Sequence, residues 1–496
     1  MLILVVLASR LYLLRVYDVE LSQDGFEAVR TLSLLQAQGA AAVPRDLLDR
    51  FILHPLYMLL LYAWRVLIPA SFDFYLAARF LSALLACVAV ILLFELVKNR
   101  HAFGEPAAWA AALFLAFAPS FLWESISILS STLFLALYLA VLLALVESRY
   151  RAAALLAFLS AITRYEGIVL LALVGFALLY RDRHARTLHA GDWVVFGIFA
   201  LAFPATLMAG GWLATGNAFE FIGAQSMAAI WLRFMAPGDF LKHASFFITQ
   251  YPQLFPWGIV ALGIAGTLLA LARHRHRATA LLLATSLLYV LFFELLVWLN
   301  YTTLEVRFLM YPGLPLLVFA GVALAEVGSG LARLPKFIKF RKSIAAAIVS
   351  LVVLALLVAS YQQGSAGMQF LYNMMASQRE MADELSRLVP PDRQTNLMVY
   401  TGNSGALDLF GRQHGLRFTF VDFRYAPDDA PEQFLLDRQI QLIVYPVGNA
   451  FAKIKYPYLA RFETQTHGAV TFQPLVQFAT STDNQLYSIW SVSAAE

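Results

Sequence analysis

The sequence begins with "MLILVVLASRLYLLRVY" (residues 1–17), a run dominated by Leu and Val. An α-helix rises about 1.5 Å per residue, so about 20 mainly apolar residues are needed to cross a hydrocarbon core of about 30 Å. The run lacks the basic n-region and the small-residue cleavage site of a signal peptide, and we therefore expect it to be a first membrane span. Because similar runs recur along the chain, the sequence predicts a polytopic helical membrane protein.

The composition supports the same class. The chain has 496 residues, of which 60% are hydrophobic and 14% are charged. A soluble domain averages about 45–50% apolar and about 25% charged residues. The single cysteine, Cys87, excludes a disulfide within the chain and a thiolate metal site.

The apolar runs predict about eleven spans. Their approximate bounds are 1–17, 75–97, 106–122, 127–146, 152–163, 167–180, 191–213, 254–272, 279–299, 307–327 and 343–361. One further run, "FILHPLYMLLLYAWRVLI" (51–68), opens with His-Pro and contains Arg65. Its hydropathy fits either a span or a helix that lies in the membrane interface.

The basic residues predict which connections share a side of the membrane. Two predicted spans separate each successive pair of basic connections, so all of these connections fall on one face. The positive-inside rule makes that face cytoplasmic. The basic connections are Lys98/Arg100, Arg149/Arg151, "RDRHAR" (181–186), "RHRHR" (273–277) and "KFIKFRK" (336–342).

The residues after 361 predict a separate domain. Polar residues become frequent there, and "MASQREMADELSRLV" (375–389) predicts an amphipathic helix that ends at Pro390. Predicted strands alternate with helical patterns in this region, which suggests a small α/β domain outside the membrane, at 362–496. The predicted strands are "TNLMVYT" (395–401), "RFTFVDF" (417–423), "QLIVYP" (441–446), "PLVQFAT" (474–480) and "LYSIWSV" (486–492).

Ionisable residues collect at or near the span ends on the noncytoplasmic side. Such groups are expensive at membrane depth, so they usually pair or line a cavity. A cavity with both carboxylates and guanidinium groups suits a substrate that has a hydroxyl to deprotonate and a phosphate to bind. The set is Asp24, Glu27, His54, Arg79, Glu124, Arg164, Glu166 and Arg307, with Asp24 and Glu27 included only if 51–68 does not span.

Five motifs occur in a distinctive order. They are "DGFE" (24–27), "HPLY" (54–57), "AARFLSALL" (77–85), "LSAITRYEGIVLL" (159–171) and "RFLMYPGLPLL" (307–317). This order resembles the GT-C family of lipid-dependent glycosyltransferases, in particular the bacterial branch near the protein O-mannosyltransferases and the aminoarabinose transferase of lipid A. Many members of that family carry an acidic residue where this chain has Ser130 and Ser131.

The resemblance implies an architecture. It implies a transmembrane GT-C-like catalytic module over 1–361, whose first outer loop, 18–74, carries juxtamembrane helices that include 51–68. This leaves about eleven spans and places "DGFE" on the outer side. The expected location is a bacterial inner or plasma membrane, with a cytoplasmic N-terminus and an extracytoplasmic C-terminal domain.

The resemblance also implies a reaction, in which a sugar moves from a polyprenyl phosphate to an acceptor hydroxyl of a lipid, a glycan or a protein, with inversion at the anomeric carbon. We expect Asp24 to be the general base, and Glu27 to orient Asp24 or the acceptor. General-base assistance is worth about 10²–10⁴-fold. In the alternative reading, Ser22 or Asp24 caps a helix that starts near Gly25, with Glu27 as its reciprocal partner.

The predicted substrate-binding residues are cationic or aromatic. Arg79 and Arg307 are expected to hold the lipid phosphate, because the guanidinium fork grips phosphate and stays charged; alternatively, both side chains snorkel towards headgroups. The other predicted substrate-binding residues are Arg164, Glu166, His54, Tyr57 and Tyr311. Alternatively, Arg164 and Glu166 form a structural ion pair, His54 caps a helix, and the two tyrosines anchor the chain in the membrane interface.

We expect no cofactor to be required. Asp24, Glu27, Glu124 and His54 could supply ligands to a divalent cation such as Mg²⁺, but they have no diagnostic spacing, and the arginines can neutralise the phosphate instead.

Two other functions stay open. One is a catalytically inactive GT-C-like subunit or scaffold whose outer domain binds a protein partner. The other, less favoured, is a transporter of lipid-linked sugars, which predicts inverted repeats that the sequence lacks.

Overall fold

The computed structural model describes most of the chain and divides it into two compact units. The first unit, Met1–Val16 with Thr31–Gly367, is named the helical unit here, and the second, Tyr17–Arg30 with Met368–Glu496, the sheet unit. The segment that contains "DGFE" therefore groups with the C-terminal residues. The described residues are 1–38, 54–69, 71–98, 103–219, 250–273, 277–298, 306–333, 341–399, 404–423, 426, 430–448, 450–482 and 484–495.

Up to residue 388 the described regular structure is helical. The helices are α1 (Leu2–Val16), α2 (Gln23–Gln38), α3 (Pro55–Leu67), α4 (Phe74–Lys98), α5 (Glu105–Ala116), α6 (Pro119–Glu124), α7 (Ser130–Val146), α8 (Tyr150–Ala161), α9 (Ile168–Ala185), α10 (Ala190–Thr215), α11 (Tyr251–Leu254), α12 (Trp257–Arg273), α13 (Arg277–Trp298), α14 (Met310–Ala332) and α15 (Arg341–Leu388). Short 3₁₀ turns occur at Tyr165–Gly167 and Val306–Leu309.

Five of the described helices are long and apolar enough to cross a membrane, as judged by length and composition. They are Phe74–Lys98, Ala190–Leu213, Arg277–Leu296, Met310–Ala332 and Lys342–Leu388. Several shorter apolar helices, among them α7 and α12, lie between them along the chain. The prediction of a polytopic helical membrane protein is confirmed, whereas the predicted number of spans stays a prediction.

The predicted span at 106–122 is two helices, because Pro119 cannot continue α5. Proline lacks an N–H group and clashes with the preceding turn, so α6 starts afresh with Pro119 as its first residue. The break leaves the carbonyl of Ala116 without a helical partner. The fully buried Arg10 of α1 fills that role, since its Nη2 atom donates to the Ala116 carbonyl at 2.5 Å.

Helix α15 joins two elements that the sequence analysis treated separately. It has 48 residues, which corresponds to a length of about 72 Å. The predicted span at 343–361 and the predicted amphipathic helix at 375–389 are parts of this one helix. It ends where Pro390 was expected to end it.

Two glycines allow α12 to approach α14 closely. A Cβ atom added to Gly263 would lie 2.8 Å from the carbonyl oxygen of Leu316, and one added to Gly266 would overlap the carbonyl of Phe319. Any larger residue at position 266 therefore forces the two helices apart.

We expect Gly266→Ala to lower stability by about 1–3 kcal/mol, because the new methyl group meets backbone rather than a flexible side chain. The matched control is Gly210→Ala in α10, where an added Cβ meets no described atom within 4 Å. Thermal midpoints in detergent measure both effects. Equal midpoints for the two variants would contradict the close approach.

The sheet unit contains a six-stranded mixed sheet in the order β2-β1-β3-β6-β5-β4. Strands β1, β2 and β3 are parallel, and β6, β5 and β4 continue the sheet in antiparallel pairs. All five predicted strands are confirmed, and among the strands that the structure describes, the three-residue β4 was missed. The elements are β1 (Gln394–Val399), α16 (Ser404–Gln413), β2 (Arg417–Asp422), α17 (Pro431–Asp437), β3 (Leu442–Pro446), α18 (Ala450–Lys455), a 3₁₀ turn (Pro457–Ala460), β4 (Gln465–His467), β5 (Val470–Ala479) and β6 (Leu486–Ala494).

The core of the sheet unit contains two tyrosines that make a matched pair. Tyr445 and Tyr456 are both fully buried. The Tyr456 hydroxyl donates to the carbonyl of Pro431 at 3.0 Å. Within the described part of the chain, the Tyr445 hydroxyl has no hydrogen-bond partner. Burial raises the pKa of Tyr445 to about 12.

We expect Tyr445→Phe to be neutral or to stabilise the protein by up to about 1 kcal/mol near neutral pH, since it removes a buried hydroxyl that has no partner. The pKa of Tyr445 is raised above an unfolded value of about 10, so its contribution is complete below pH 10 and is lost as the pH rises towards 12. The variant should therefore lose less stability than the wild type over that interval.

Thermal midpoints of the sheet unit at about pH 8 and about pH 11 test this. The control, Tyr456→Phe, loses a hydrogen bond and should be destabilised by about 1 kcal/mol already at the lower pH. If Tyr445→Phe were destabilised as much as Tyr456→Phe, the inference that the Tyr445 hydroxyl makes no hydrogen bond would be wrong.

Candidate active site

The basic connections meet at one end of the helical unit. The Arg277 guanidinium donates to the Tyr150 hydroxyl at 2.9 Å, and the Arg181 guanidinium lies 4.3 Å from the centre of the Tyr150 ring. Arg151 pairs with Asp192 at 2.8 Å. Three connections that the charge pattern placed on one side are thus in contact. Helices α7, α8 and α9 each run between this end and the residues described next.

At the other ends of these helices, two of the quoted motifs are adjacent. His54 Nδ1 lies 2.9 Å from the Thr163 carbonyl oxygen, and the amide of Leu56 donates to the Ile162 carbonyl at 3.1 Å. Pro55 begins α3, where its missing N–H group is not needed. The first turn of α3 therefore lies against the segment that leads into Arg164, and Tyr57 in that turn is buried.

Arg79 approaches the same region from α4. Its side chain is buried, and its Nε atom donates to the carbonyl of Ile126 at 2.8 Å. Ile126 belongs to the irregular connection between α6 and α7. This hydrogen bond fixes the plane of the Arg79 guanidinium.

Arg164 and Glu166 form a buried ion pair. The closest atoms, Nη2 of Arg164 and Oε1 of Glu166, are 2.6 Å apart, and Nε lies 3.2 Å from both carboxylate oxygens. Arg164 Nη1 also donates to the Ser130 hydroxyl at 3.3 Å, at the start of α7. Glu166 is inaccessible to solvent. The Ser130 hydroxyl is therefore a partner of this arginine.

Tyr311 is part of a buried aromatic cluster rather than an exposed interface anchor. Its ring centre lies 4.7 Å from that of Phe134 and 5.7 Å from that of Tyr289. Its carbonyl accepts a hydrogen bond of 3.3 Å from Tyr138. Because Phe134 and Tyr138 belong to α7, the Tyr311 motif packs on the helix whose first residue contacts Arg164.

Two predicted features lie partly outside the described residues. The backbone of Arg307 belongs to the 3₁₀ turn Val306–Leu309 that precedes α14, but its side chain is not among the described ones. The loop 214–253, whose aromatic residues and prolines predict interfacial helices, also lies mostly outside the described residues.

Asp24 and Glu27 lie in the first two turns of α2, within the sheet unit. The carbonyl of Ser22 accepts hydrogen bonds from the amides of Gly25 and Phe26, at 3.1 and 3.3 Å. The helix starts at Gln23, slightly before the predicted position. Both carboxylates are half-buried, whereas Phe26 between them is fully buried. A carboxylate in a first helical turn is stabilised by the helix dipole.

Glu20 is a buried carboxylate that the sequence analysis missed. It is 2% exposed, and its Oε1 atom accepts the amide of Ser22 at 3.0 Å. It therefore fixes the turn from which α2 starts. An acid two residues before a serine, ahead of a helix, was the available signal.

The comparisons with known proteins concern the fold. No protein-family model matches the sequence, and no curated protein matches it. ArnT from Cupriavidus metallidurans, bound to undecaprenyl phosphate, is similar with a TM-score of 0.53 at 15% identity, over 95% of this chain and 93% of ArnT. An oligosaccharyltransferase from Archaeoglobus fulgidus in the apo form gives a TM-score of 0.54 at 12% identity, over 90% of this chain and 69% of that one. The chain has a GT-C glycosyltransferase fold.

The GT-C fold is shared with a further solved structure. It is the archaeal oligosaccharyltransferase AglB from Archaeoglobus fulgidus in complex with an inhibitory peptide and a dolichol-phosphate. Its TM-score is 0.50 at 13% identity, over 80% of this chain and 61% of AglB. The GT-C resemblance inferred from the order of the motifs is confirmed for the fold.

Within this GT-C fold, the motifs at 54–57 and 159–171 contact each other, and the motifs at 159–171 and 307–317 both contact α7. His54 contacts Thr163, Arg164 contacts Glu166 and Ser130, and Tyr311 packs on α7. Among the described residues, no three His, Cys, Asp or Glu side chains come close enough together to hold a metal ion. The expectation that no metal is required stays a prediction.

Proposed function

We propose that the chain is an inverting glycosyltransferase that moves a sugar from a polyprenyl phosphate to an acceptor hydroxyl at the outer face of a membrane. The observation that carries this proposal is the fold shared with ArnT, which was solved with undecaprenyl phosphate, over 95% of this chain. The half-buried acids of α2 and the buried arginines are the groups that such a reaction needs. The basic end of the helical unit then faces the cytoplasm, in keeping with a bacterial inner membrane.

Asp24 acts as the general base in this proposal. It accepts the proton of the acceptor hydroxyl while that oxygen attacks the anomeric carbon of the sugar. The bond between the anomeric carbon and the phosphate oxygen breaks, and the phosphate leaves with the electron pair. Attack from the face opposite the phosphate inverts the anomeric centre. Glu27, one turn along α2, orients the acceptor or Asp24.

The leaving phosphate gains negative charge, so fixed cations stabilise the transition state. We assign this role to Arg79 and Arg307, assisted by His54 and Tyr57. Arg79 is suited to it because the Ile126 carbonyl fixes its guanidinium plane. We assign Arg164 and Glu166 a supporting role, because their opposite charges already neutralise each other, and Tyr311 likewise, because its ring lies within a buried aromatic cluster.

A cavity of about 570 Å³ lies against α4, the helix that carries Arg79. Its size is within the usual range of ligand sites. We propose that it accepts part of the isoprenoid chain of the donor. Its lining is Leu11, Leu14, Arg15, Trp64, Ile68, Pro69, Phe72, Asp73, Leu76, Ala77 and Phe80.

The test uses the full chain in lipid vesicles with polyprenyl phosphate that carries radiolabelled mannose or aminoarabinose. We expect release of polyprenyl phosphate and transfer of the label to lipid, glycan or protein acceptors extracted from membranes. A catalytically inactive subunit is the second candidate, since Ser130 stands in place of an acid and already serves Arg164. Binding of the lipid without turnover of either donor would favour that candidate.

A further inference from the structure

We propose that the sheet unit sets the position of the Asp24 carboxylate, and that Gly405 and Asp408 of α16 are positioning residues for it. The catalytic consequence depends on the proposed function, whereas the positioning does not. Every contact that carries the inference lies within the sheet unit, to which Tyr17–Arg30 belongs.

The first contact joins the first turns of α2 and α16. A Cβ atom added to Gly405 would lie 2.5 Å from Phe26 Cβ and 3.5 Å from the amide nitrogen of Glu27. Phe26 is fully buried. The backbone between Asp24 and Glu27 therefore packs directly against α16, and only a glycine at position 405 permits the two helices to come this close. This explains the apolar residue between two carboxylates.

The second contact lies on the C-terminal side of the acids. Arg30 Nε is 3.7 Å from Asp408 Oδ2, and the Arg30 guanidinium lies 5.2 Å from the centre of the Phe420 ring in β2. Asp408 is also bonded to Arg412 at 3.0 Å, so its carboxylate is held in place from its own helix. Arg30 and Asp408 are largely buried, which strengthens their interaction.

The third contact lies on the N-terminal side of the acids. The Tyr372 hydroxyl donates to Asp18 at 3.1 Å, and the rings of Tyr17 and Tyr372 are 5.6 Å apart. Asp18 also lies 3.9 Å from Arg379, whose guanidinium is 5.0 Å from the centre of the Phe410 ring in α16. Both sides of the acidic segment are thus fixed to the same unit.

These contacts leave the acids themselves half-buried while fixing the backbone that carries them. A general base must lie within hydrogen-bond reach of the proton it removes. A displacement of about 1 Å can lower a rate by about 10²-fold. A shift of α2 on α16 is therefore expected to change catalysis without any change at Asp24 itself.

The first test needs no activity. The full-length protein carries Cys87→Ala and Asp24→Cys, so that the cysteine at position 24 is its one thiol. The rate at which this thiol reacts with a membrane-impermeant maleimide is measured. Adding Gly405→Ala should change that rate severalfold. The matched control is Gly411→Ala in the same helix, where the added Cβ lies 2.9 Å from the Phe418 ring instead of α2. Arg30→Gln, which loosens the second contact, is a milder variant should Gly405→Ala fold poorly.

The second test is a double-mutant cycle on sugar transfer. We expect Gly405→Ala to lower kcat by up to about 10²-fold with little change in polyprenyl-phosphate binding. Asp24→Asn should then have a much smaller effect in the Gly405→Ala background than alone, because both changes act through one carboxylate. A general loss of folded protein would instead make the two effects multiply.

The outcomes separate the two proposals. Unchanged labelling in both Gly405→Ala and Arg30→Gln, relative to Gly411→Ala, would overturn the positioning role. Activity that is lost with Asp24→Asn but equal in Gly405→Ala and Gly411→Ala would overturn it too, while leaving the proposed function in place. Altered labelling without any transfer by the wild type would end the proposed function and leave the positioning intact.

Discussion

Replacing Asp24 with Asn is expected to lower the rate of sugar transfer by about 10²–10⁴-fold. Asn has nearly the same shape as Asp but cannot accept the acceptor's proton. The loss should fall on kcat, whereas binding of polyprenyl phosphate should stay nearly unchanged. Initial rates with a radiolabelled donor, together with equilibrium binding of unlabelled polyprenyl phosphate, measure the two quantities separately.

The control for Asp24→Asn is Glu105→Gln. Glu105 is also an acid in the first turn of a helix, but it belongs to α5 in the helical unit and is exposed. The Glu105→Gln variant should transfer sugar at the wild-type rate. An Asp24→Asn variant that keeps more than about half of the wild-type rate would rule Asp24 out as the base.

The second large effect concerns the ion pair of Arg164 and Glu166. Replacing Glu166 with Gln is expected to lower the free energy of unfolding by about 3–5 kcal/mol, because it leaves the Arg164 guanidinium buried without a counter-charge. Replacing both residues with Met should recover most of that loss, since a buried pair is often no more stabilising than apolar residues of similar volume. Thermal midpoints in detergent report both changes.

An exposed pair supplies the comparison. Arg273 and Glu326 are 3.0 Å apart at the surface, and Glu326→Gln should change stability by less than about 1 kcal/mol. Sugar transfer by the double Met variant decides the role of Arg164. Retained transfer supports a structural pair, whereas lost transfer with restored stability would show that Arg164 binds substrate.

Much of the fold was predictable because its signals are local. The strands of the sheet unit alternate or are continuously apolar, and Pro390 ends α15 as expected. Strand β4 was missed because three residues are too few for a pattern. The break at Pro119 was also missed, since hydropathy alone reads through a proline in an apolar run. The continuity of α15 was missed because its composition changes from apolar to polar at a stretch that contains Gly364 and Gly367, and glycine weakens a helix pattern.

The candidate site was predictable only in part. Motif order led to the residues at one end of the helical unit, and the contact between His54 and Thr163 agrees with that grouping. Arg10 and Glu20 were missed because each serves a backbone group whose need arises only from the folded geometry. The contact between Phe26 and Gly405 was missed because Gly405 is a small residue far along the chain, and no pattern in the sequence connects the two.

A structure of the full chain with bound polyprenyl phosphate is the most direct test that one site holds the lipid phosphate and presents it to Asp24. We predict that the phosphate lies within hydrogen-bond distance of the guanidinium of Arg79 or Arg307. We also predict that the Asp24 carboxylate faces it across a gap the size of one sugar ring. A phosphate bound away from both arginines, or Asp24 on the opposite side of the membrane from the phosphate, would contradict the proposed mechanism.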